Sequence, residues 1–377
     1  MAKPVILFLE VLPDIKGGQQ MLLEIVPAMT EYEVHAIVPD RGPLYDALVT
    51  LKVTCHVVRM HQYTLVRKGV ADVIAFAQEL RHLSSRVARI ATESGARLLW
   101  ANSTRAFVWG TLAARRARLP IVWHAQNLLV DRKSLALTRV MARMPAVQQI
   151  VGCSESATAQ YGAPTKSSIV PLAVDLTRYM PSVEHRAATR ASLGISADRF
   201  VVAHVGDLIP LKGQSLLAQS ARTTPHVAYL IIGEAREDQA ESVQYAGHLK
   251  SSVGKNVRFL GSRSDVPQLL SAADVLAITS TQEAGPRVLV EGMACGLPVV
   301  STRVGMAPDV ISPGVNGYLT DPDADRLATV LREMAADPRR TAEMGRRARE
   351  LAERELGIEP YRQRMRAIVE NSLEHGE

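Results

Sequence analysis

The chain has 377 residues, 47% hydrophobic and 22% charged, a balance that excludes a disordered, collagenous or coiled-coil protein and favours two hydrophobic cores over one. Its formal charge of +6 suits phosphate-bearing ligands, anionic lipid or nucleic acid, but aromatic residues are only 5% and are not interleaved with the basic ones, so no nucleic-acid partner is expected. Cys55, Cys153 and Cys295 lie far apart without ligand spacing, which argues against a disulfide framework, a zinc site or a catalytic thiol.

The apolar run 5–9 is interrupted at once by Glu10, too soon for a signal peptide or membrane span, and reads as a buried first strand. Strands are expected over 5–12, 33–38, 53–59, 97–102, 121–125, 149–152 and 168–171, alternating with helical stretches. One long helix is expected over 70–94, stopped by Gly95, and another over 107–118, with the basic run 115–118 in its last turn as a solvated helix end. Apolar periodicity breaks down over 171–193, the expected interdomain linker. The alternation restarts with strands over 200–205, 227–232, 257–260, 275–279 and 299–302, and the chain is helical over 325–336, 340–355 and 361–374. The expected class is α/β, with Rossmann-like domains over 1–175 and 176–360 and a helix over 361–377 packing back on the first.

In such sheets ligands bind beyond the carboxyl ends of the strands. After the first strand, Gly17 and Gly18 precede a helix expected to start near Gln19; they would let backbone N–H groups approach an anion or a sugar oxygen, a plain tight turn being the alternative. In the segment 279–300 a strand ends near Glu283, Gly285-Pro286 makes a turn with Pro286 at the first helical position, and Glu291 follows eight residues after Glu283. Carboxylates accept hydrogen bonds from vicinal hydroxyls, so the pair suits a ligand with a ribose and a sugar, and the helix N-terminus between them suits a phosphate. Two surface acids paired to arginines are the plain alternative.

On that E-x(7)-E stretch and the residues that trail it, Glu291-Gly292-Met293-Ala294-Cys295-Gly296-Leu297-Pro298-Val299-Val300, the whole chain resembles a family-4 retaining glycosyltransferase of the GT-B fold. The resemblance implies that Glu283 contacts the hydroxyls of the transferred sugar and Glu291 the ribose of the nucleotide, with backbone amides of Gly285, Arg287 and Val288 on phosphate or sugar. The segment 205–213 resembles the family's diphosphate clamp. Lys212 keeps its place there as the carrier of leaving-group charge, while Asp207 stands where an arginine is usual, so either a neighbour such as Arg263 or Arg287 supplies the charge or the phosphate grip is altered. The segment 259–266 resembles the loop against the nucleotide base, with Arg263 a secondary contact. Gly17 and Gly18 match the glycine-rich loop over donor and acceptor, and His124, in Val122-Trp123-His124-Ala125, matches the strand-end histidine that reaches the sugar.

The resemblance further implies retention of anomeric configuration in a cleft between the domains, the donor's own phosphate oxygen taking the acceptor's proton, and closure about the linker to exclude water. Glu283 and His124 would orient the sugar and stabilise its oxocarbenium character. No Asp-x-Asp loop is set to hold a divalent ion, so neither metal nor cofactor is expected besides the substrate, a UDP- or GDP-sugar. The stretch 59–69 mixes cations with apolar residues and would touch a membrane surface or an anionic acceptor, or be a solvated loop. A saccharide, lipid-linked or small-molecule acceptor is expected, at a cytoplasmic site that could lie on the inner face of the membrane. Two rival readings are a nucleotide-sugar epimerase, against which the E-x(7)-E stretch counts, and a sugar-nucleotide binder with weak or no transfer, which Asp207 favours.

Overall fold

The computed structural model describes residues 3–60 and 70–374. The chain divides into two compact units: Met1–Pro171 with Tyr361–Glu377, and Leu172–Pro360.

In the first unit, strands β1 (Val5–Leu9), β2 (Glu33–Val38), β3 (Thr54–Val57), β4 (Ala96–Ala101), β5 (Ile121–Ala125), β6 (Val147–Gly152) and β7 (Ser167–Ile169) form a parallel sheet in the order β3-β2-β1-β4-β5-β6-β7. Central β1, Val-Ile-Leu-Phe-Leu, is buried along its whole length, as a strand covered by helices on both faces must be. Its register sets Leu7 against His35 on one side and Leu99 on the other. Within the helix Val70–Glu93, Leu83, Val87 and Ala91 repeat every fourth residue and enter the core beside Phe107, Ala113 and Ala114 of the helix Thr104–Ala117. Arg116, from the basic run in that second helix, hydrogen-bonds Ser84 Oγ at 2.8 Å. The helix Ile358–Glu374 closes the unit: Arg362 donates to Glu24 O at 2.9 Å and Arg366 to Ala28 O at 2.6 Å, above a buried row of Tyr361, Met365, Ile368 and Val369.

The second unit repeats the plan with β8 (Val201–Val205), β9 (Ala228–Ile232), β10 (Val257–Phe259), β11 (Val275–Ile278), β12 (Val299–Thr302) and β13 (Gly317–Thr320), all parallel, in the order β10-β9-β8-β11-β12-β13. Strand order reverses between β8 and β11 here and between β1 and β4 in the first unit, and these switch points are where doubly wound sheets hold ligands. Strand β13, a four-residue edge strand with little apolar pattern, was not anticipated.

The expected linker over 171–193 needs correction. It contains the helix Val183–Ser192, whose buried side is built from arginine and so carries no apolar rhythm. Arg190, 4% exposed, donates to the carbonyls of Ala272, Ser196, Ala197 and Arg199 and to Asp274 Oδ2 at 2.8 Å; Arg186 takes the other oxygen of Asp274 at 2.5 Å. Of the basic stretch 59–69, residues 61–69 lie outside the described residues. Among the described residues no helix is long and apolar enough to cross a membrane.

Candidate active site

Glu283 lies in the loop beyond the carboxyl end of β11, and Glu291 in the helix Arg287–Ala294 that follows. Pro286 caps the helix Arg287–Ala294 from outside, at φ −69° and ψ 110°, so Arg287, not the proline as expected, is the first helical residue. Gly285, Arg287 and Val288 lead into and open that helix, where the first amides lack intrahelical acceptors. Gly292 lets the helix settle on the sheet, since a Cβ there would lie 2.4 Å from Leu276. Glu291 stands one turn beyond Arg287 on the same face, 3.8 Å from its Nε, and hydrogen-bonds Tyr179. Burial pushes the Glu291 carboxyl above the usual range against the pull of Arg287 and the Tyr179 hydrogen bond. Arg287 Nη1 is buried without a hydrogen-bond partner among the described residues.

Lys212 and Glu283, expected from separate motifs, meet: Nζ lies 2.5 Å from Oε1, and Ser280 Oγ donates to the same oxygen at 3.0 Å. The loops that carry them are stitched together by Thr281 N on Leu211 O at 2.9 Å and Thr279 Oγ1 on Lys212 O at 3.1 Å. Gly213 makes this approach possible. Its φ is +65°, and a Cβ would stand 1.9 Å from Thr279 O.

Neither Arg263 nor Arg287 pairs with Asp207. Arg263 forms a fork with Asp265 at 2.7 and 2.6 Å, and Arg287 faces Glu291. The partner of Asp207 is Arg236, with Nε 2.7 Å from Oδ2. Sequence reading missed this residue; a cation three positions after the strand-end glycine Gly233, on the neighbouring strand, was the available signal. The reading also passed over two overlapping Asp-x-Asp spacings in Asp321-Pro322-Asp323-Ala324-Asp325. Asp323 caps the following helix by accepting from Arg326 N at 2.8 Å, and Asp321 pairs with the Arg326 side chain. Among the described residues no group of three or more His, Cys, Asp and Glu side chains is arranged to hold a metal ion.

The first unit gathers a second polar cluster at the carboxyl ends of β1, β4 and β5. Glu10, fully buried, accepts from Val11 N and from Asn102 Nδ2, both at 2.8 Å; Asn102 also donates to Gly18 O at 3.1 Å and faces His124 Nδ1 at 2.8 Å. Burial raises the Glu10 pKa and lowers that of His124 to about 3, so the imidazole is neutral. The second ring nitrogen of His124 lies 3.5 Å from the Tyr361 hydroxyl. His124 is 2% exposed, and its ring nitrogens face Asn102 and the Tyr361 hydroxyl inside the unit. Gln126, just past the end of β5 and only partly buried, stands against Gly18, its Oε1 3.4 Å from where a Cβ of that glycine would be. Gly17 and Gly18 form the first turn of the helix Gly17–Ile25, which starts two residues earlier than expected.

Residues 185–351 match the family of glycosyl transferases group 1. A D-inositol 3-phosphate glycosyltransferase of Saccharomonospora viridis is 30% identical over 302 residues, covering 70% of this chain and 69% of that protein. The chain belongs to the glycosyl transferases group 1 family. Two further relatives of the group 1 chain are the D-inositol 3-phosphate glycosyltransferase of Mycolicibacterium vanbaalenii, 32% identical over 61% of this chain and 57% of that protein, and a GDP-mannose-dependent phosphatidylinositol monomannoside mannosyltransferase of Corynebacterium glutamicum, 31% identical over 54% and 55%. The chain thus spans little more than half the length of these two. HepE of Anabaena, solved in complex with UDP, superposes with a TM-score of 0.83 at 26% identity over 97% of this chain and 99% of that one. Sucrose-phosphate synthase of Thermosynechococcus elongatus, at 19% identity over 98% and 99% with a TM-score of 0.78, shares the fold, two Rossmann-like domains of the GT-B class. The group 1 match covers all six strands of the second unit and both glutamates, but none of the first unit's sheet.

Proposed function

We propose that this chain is a retaining, metal-independent glycosyltransferase that moves a sugar from a nucleotide-sugar to a hydroxyl of a saccharide, lipid-linked or small-molecule acceptor. The observation that carries this reading is the meeting of Lys212, Glu283 and Ser280 at the β8–β11 switch point, with Glu291, hydrogen-bonded to Tyr179, on the helix that follows. Glu291 would take the ribose hydroxyls and Glu283 those of the sugar, while Lys212 and the amides of Gly285, Arg287 and Val288 would face phosphate. Arg263, engaged by Asp265, is left as a contact beside the base.

Lys212 and the first turn of the helix supply positive charge to a departing diphosphate, which is the task a divalent ion would otherwise perform. The bond from anomeric carbon to phosphate oxygen breaks, the acceptor oxygen bonds the same face, and the released phosphate oxygen takes the acceptor proton, so no protein base is required. HepE's complexes with UDP and UDP-glucose favour a UDP-sugar here, and the GDP-mannose-dependent relative keeps GDP as the second choice. The reading as a binder without transfer rested on Asp207 repelling phosphate, and its pairing with Arg236 weakens that objection.

Calorimetry with UDP-, GDP-, ADP- and dTDP-sugars on wild type, Glu291→Ala and Lys212→Ala tests the proposal. One nucleotide should bind, and both substitutions should weaken it. Absence of binding to all four, or indifference to both substitutions, would reduce the assignment to a shared fold.

A further inference from the structure

At the carboxyl ends of β8 and β9 two loops are framed by their own backbone. Gly206 N donates to Ile232 O at 2.9 Å and Leu208 N to Glu234 O at 2.8 Å. The buried hydroxyl of Ser242 adds a bridge, accepting from Arg236 N and donating to Leu208 O, both at 2.8 Å. Gly233, at φ +139°, presses so closely that a Cβ would stand 2.1 Å from Gly206 O.

This frame is complete without the side chains of Asp207 and Arg236, yet they meet at 2.7 Å with 48% and 44% of their surfaces exposed. An ion pair so exposed adds little to stability. What it does is place a guanidinium. The stem of Lys212 passes 3.4 Å from where a Cβ of Gly206 would be, and Asp207, the next residue along, carries Arg236. Just past the end of β8, beside the switch point, Lys212 thus runs along Gly206 and Arg236 pairs with the next residue, Asp207, while Lys212 itself is paired with Glu283. A diphosphate carries at least two negative charges, more than one lysine matches, and guanidinium binds phosphate oxygens through paired N–H groups.

We propose that Arg236 is a diphosphate-binding residue of this site and that Asp207 is its resting partner, released when the anion binds. The proposal rests on the donor-site reading above and adds a cation that lies outside the stretches from which that reading was drawn.

The test is calorimetry on the full chain with inorganic pyrophosphate, UDP and uridine, comparing wild type, Arg236→Ala, Arg236→Lys, Asp207→Asn and the double variant Asp207→Asn/Arg236→Ala. Arg236→Ala should weaken pyrophosphate and UDP about tenfold or more and leave uridine unchanged, with part of the loss recovered in Arg236→Lys. Asp207→Asn should tighten pyrophosphate severalfold when Arg236 is present, and by less in the double variant. Wild-type affinity of Arg236→Ala for pyrophosphate and UDP would overturn the proposal and leave the donor site standing. An equal loss of uridine and UDP would also overturn it, by assigning Arg236 to the loop frame. If the wild type bound none of UDP, GDP and pyrophosphate, the donor-site reading itself would fall and take this proposal with it.

Discussion

Lys212 Nζ lies 2.5 Å from Glu283 Oε1, so the cation proposed for phosphate and the acid proposed for sugar hold each other. Replacing Glu283 by Gln keeps a hydrogen-bonding group beside Ser280 and frees the ammonium. UDP should then bind about three- to tenfold more tightly, while transfer from UDP-glucose should fall about a hundredfold, because sugar contacts are lost in the transition state. Calorimetry and turnover assays separate the two effects. Unchanged UDP affinity would show that Lys212 does not turn toward phosphate.

Glu291 gives a pH signature. Its carboxyl is pushed above 4.5 by burial, so over the window between 4.5 and its folded value the folded protein holds a proton that the unfolded chain has lost. Stability from this group is complete below 4.5 and declines as pH rises through that window. Glu291→Gln should remove the decline and melt higher than wild type at pH 7, yet bind nucleotide at least tenfold more weakly, because one of the two carboxylate oxygens that would accept from the ribose hydroxyls becomes an NH2 donor. Melting curves from pH 4 to 8 with and without nucleotide decide it; a variant less stable than wild type at pH 7 would contradict the burial argument.

His124 and His204 run the other way. Burial lowers them to about 3 and about 4, so the unfolded chain takes up protons near 6.5 that the folded chain refuses. Their contribution is present above pH 6.5 and is lost as pH falls toward 4, with a limiting slope of about 1.4 kcal/mol per pH unit for each ring. His124→Asn should flatten the acid limb of the first unit while leaving nucleotide affinity within about twofold. A large loss of nucleotide affinity in this variant would place His124 in the binding site.

Asp274 neutralises Arg186 and the buried Arg190 and accepts from Val201 N at 2.7 Å. Asp274→Ala strands a guanidinium that burial already disfavours, and should cost about 3 to 5 kcal/mol in urea unfolding of the second unit. A cost below about 1 kcal/mol would mean that the carbonyls around Arg190 suffice to hold its charge.

Strands β1 and β5 were legible because doubly covered parallel strands must be largely apolar runs, and Glu283 and Glu291 because a strand end, a Gly-Pro turn and a helix lie consecutively in the chain. The helix Val183–Ser192 was hidden because it buries Arg190 where a helix usually buries leucine. Arg236 was hidden for another reason: it lies 29 residues from Asp207, and only the adjacency of β8 and β9 brings their loops together. How deeply His124 is enclosed was also hidden, because sequence periodicity gives the face of a strand residue but not its depth.

The first unit is assembled from two stretches of chain with the whole of the second unit between them. During synthesis the seven-stranded sheet emerges first, but Glu24 O and Ala28 O must wait for Arg362 and Arg366, which leave the ribosome only after all six strands of the other sheet. At about 5–20 residues per second, that delay leaves the half-finished unit exposed for roughly 10 to 40 seconds, an interval in which a chaperone has its natural substrate.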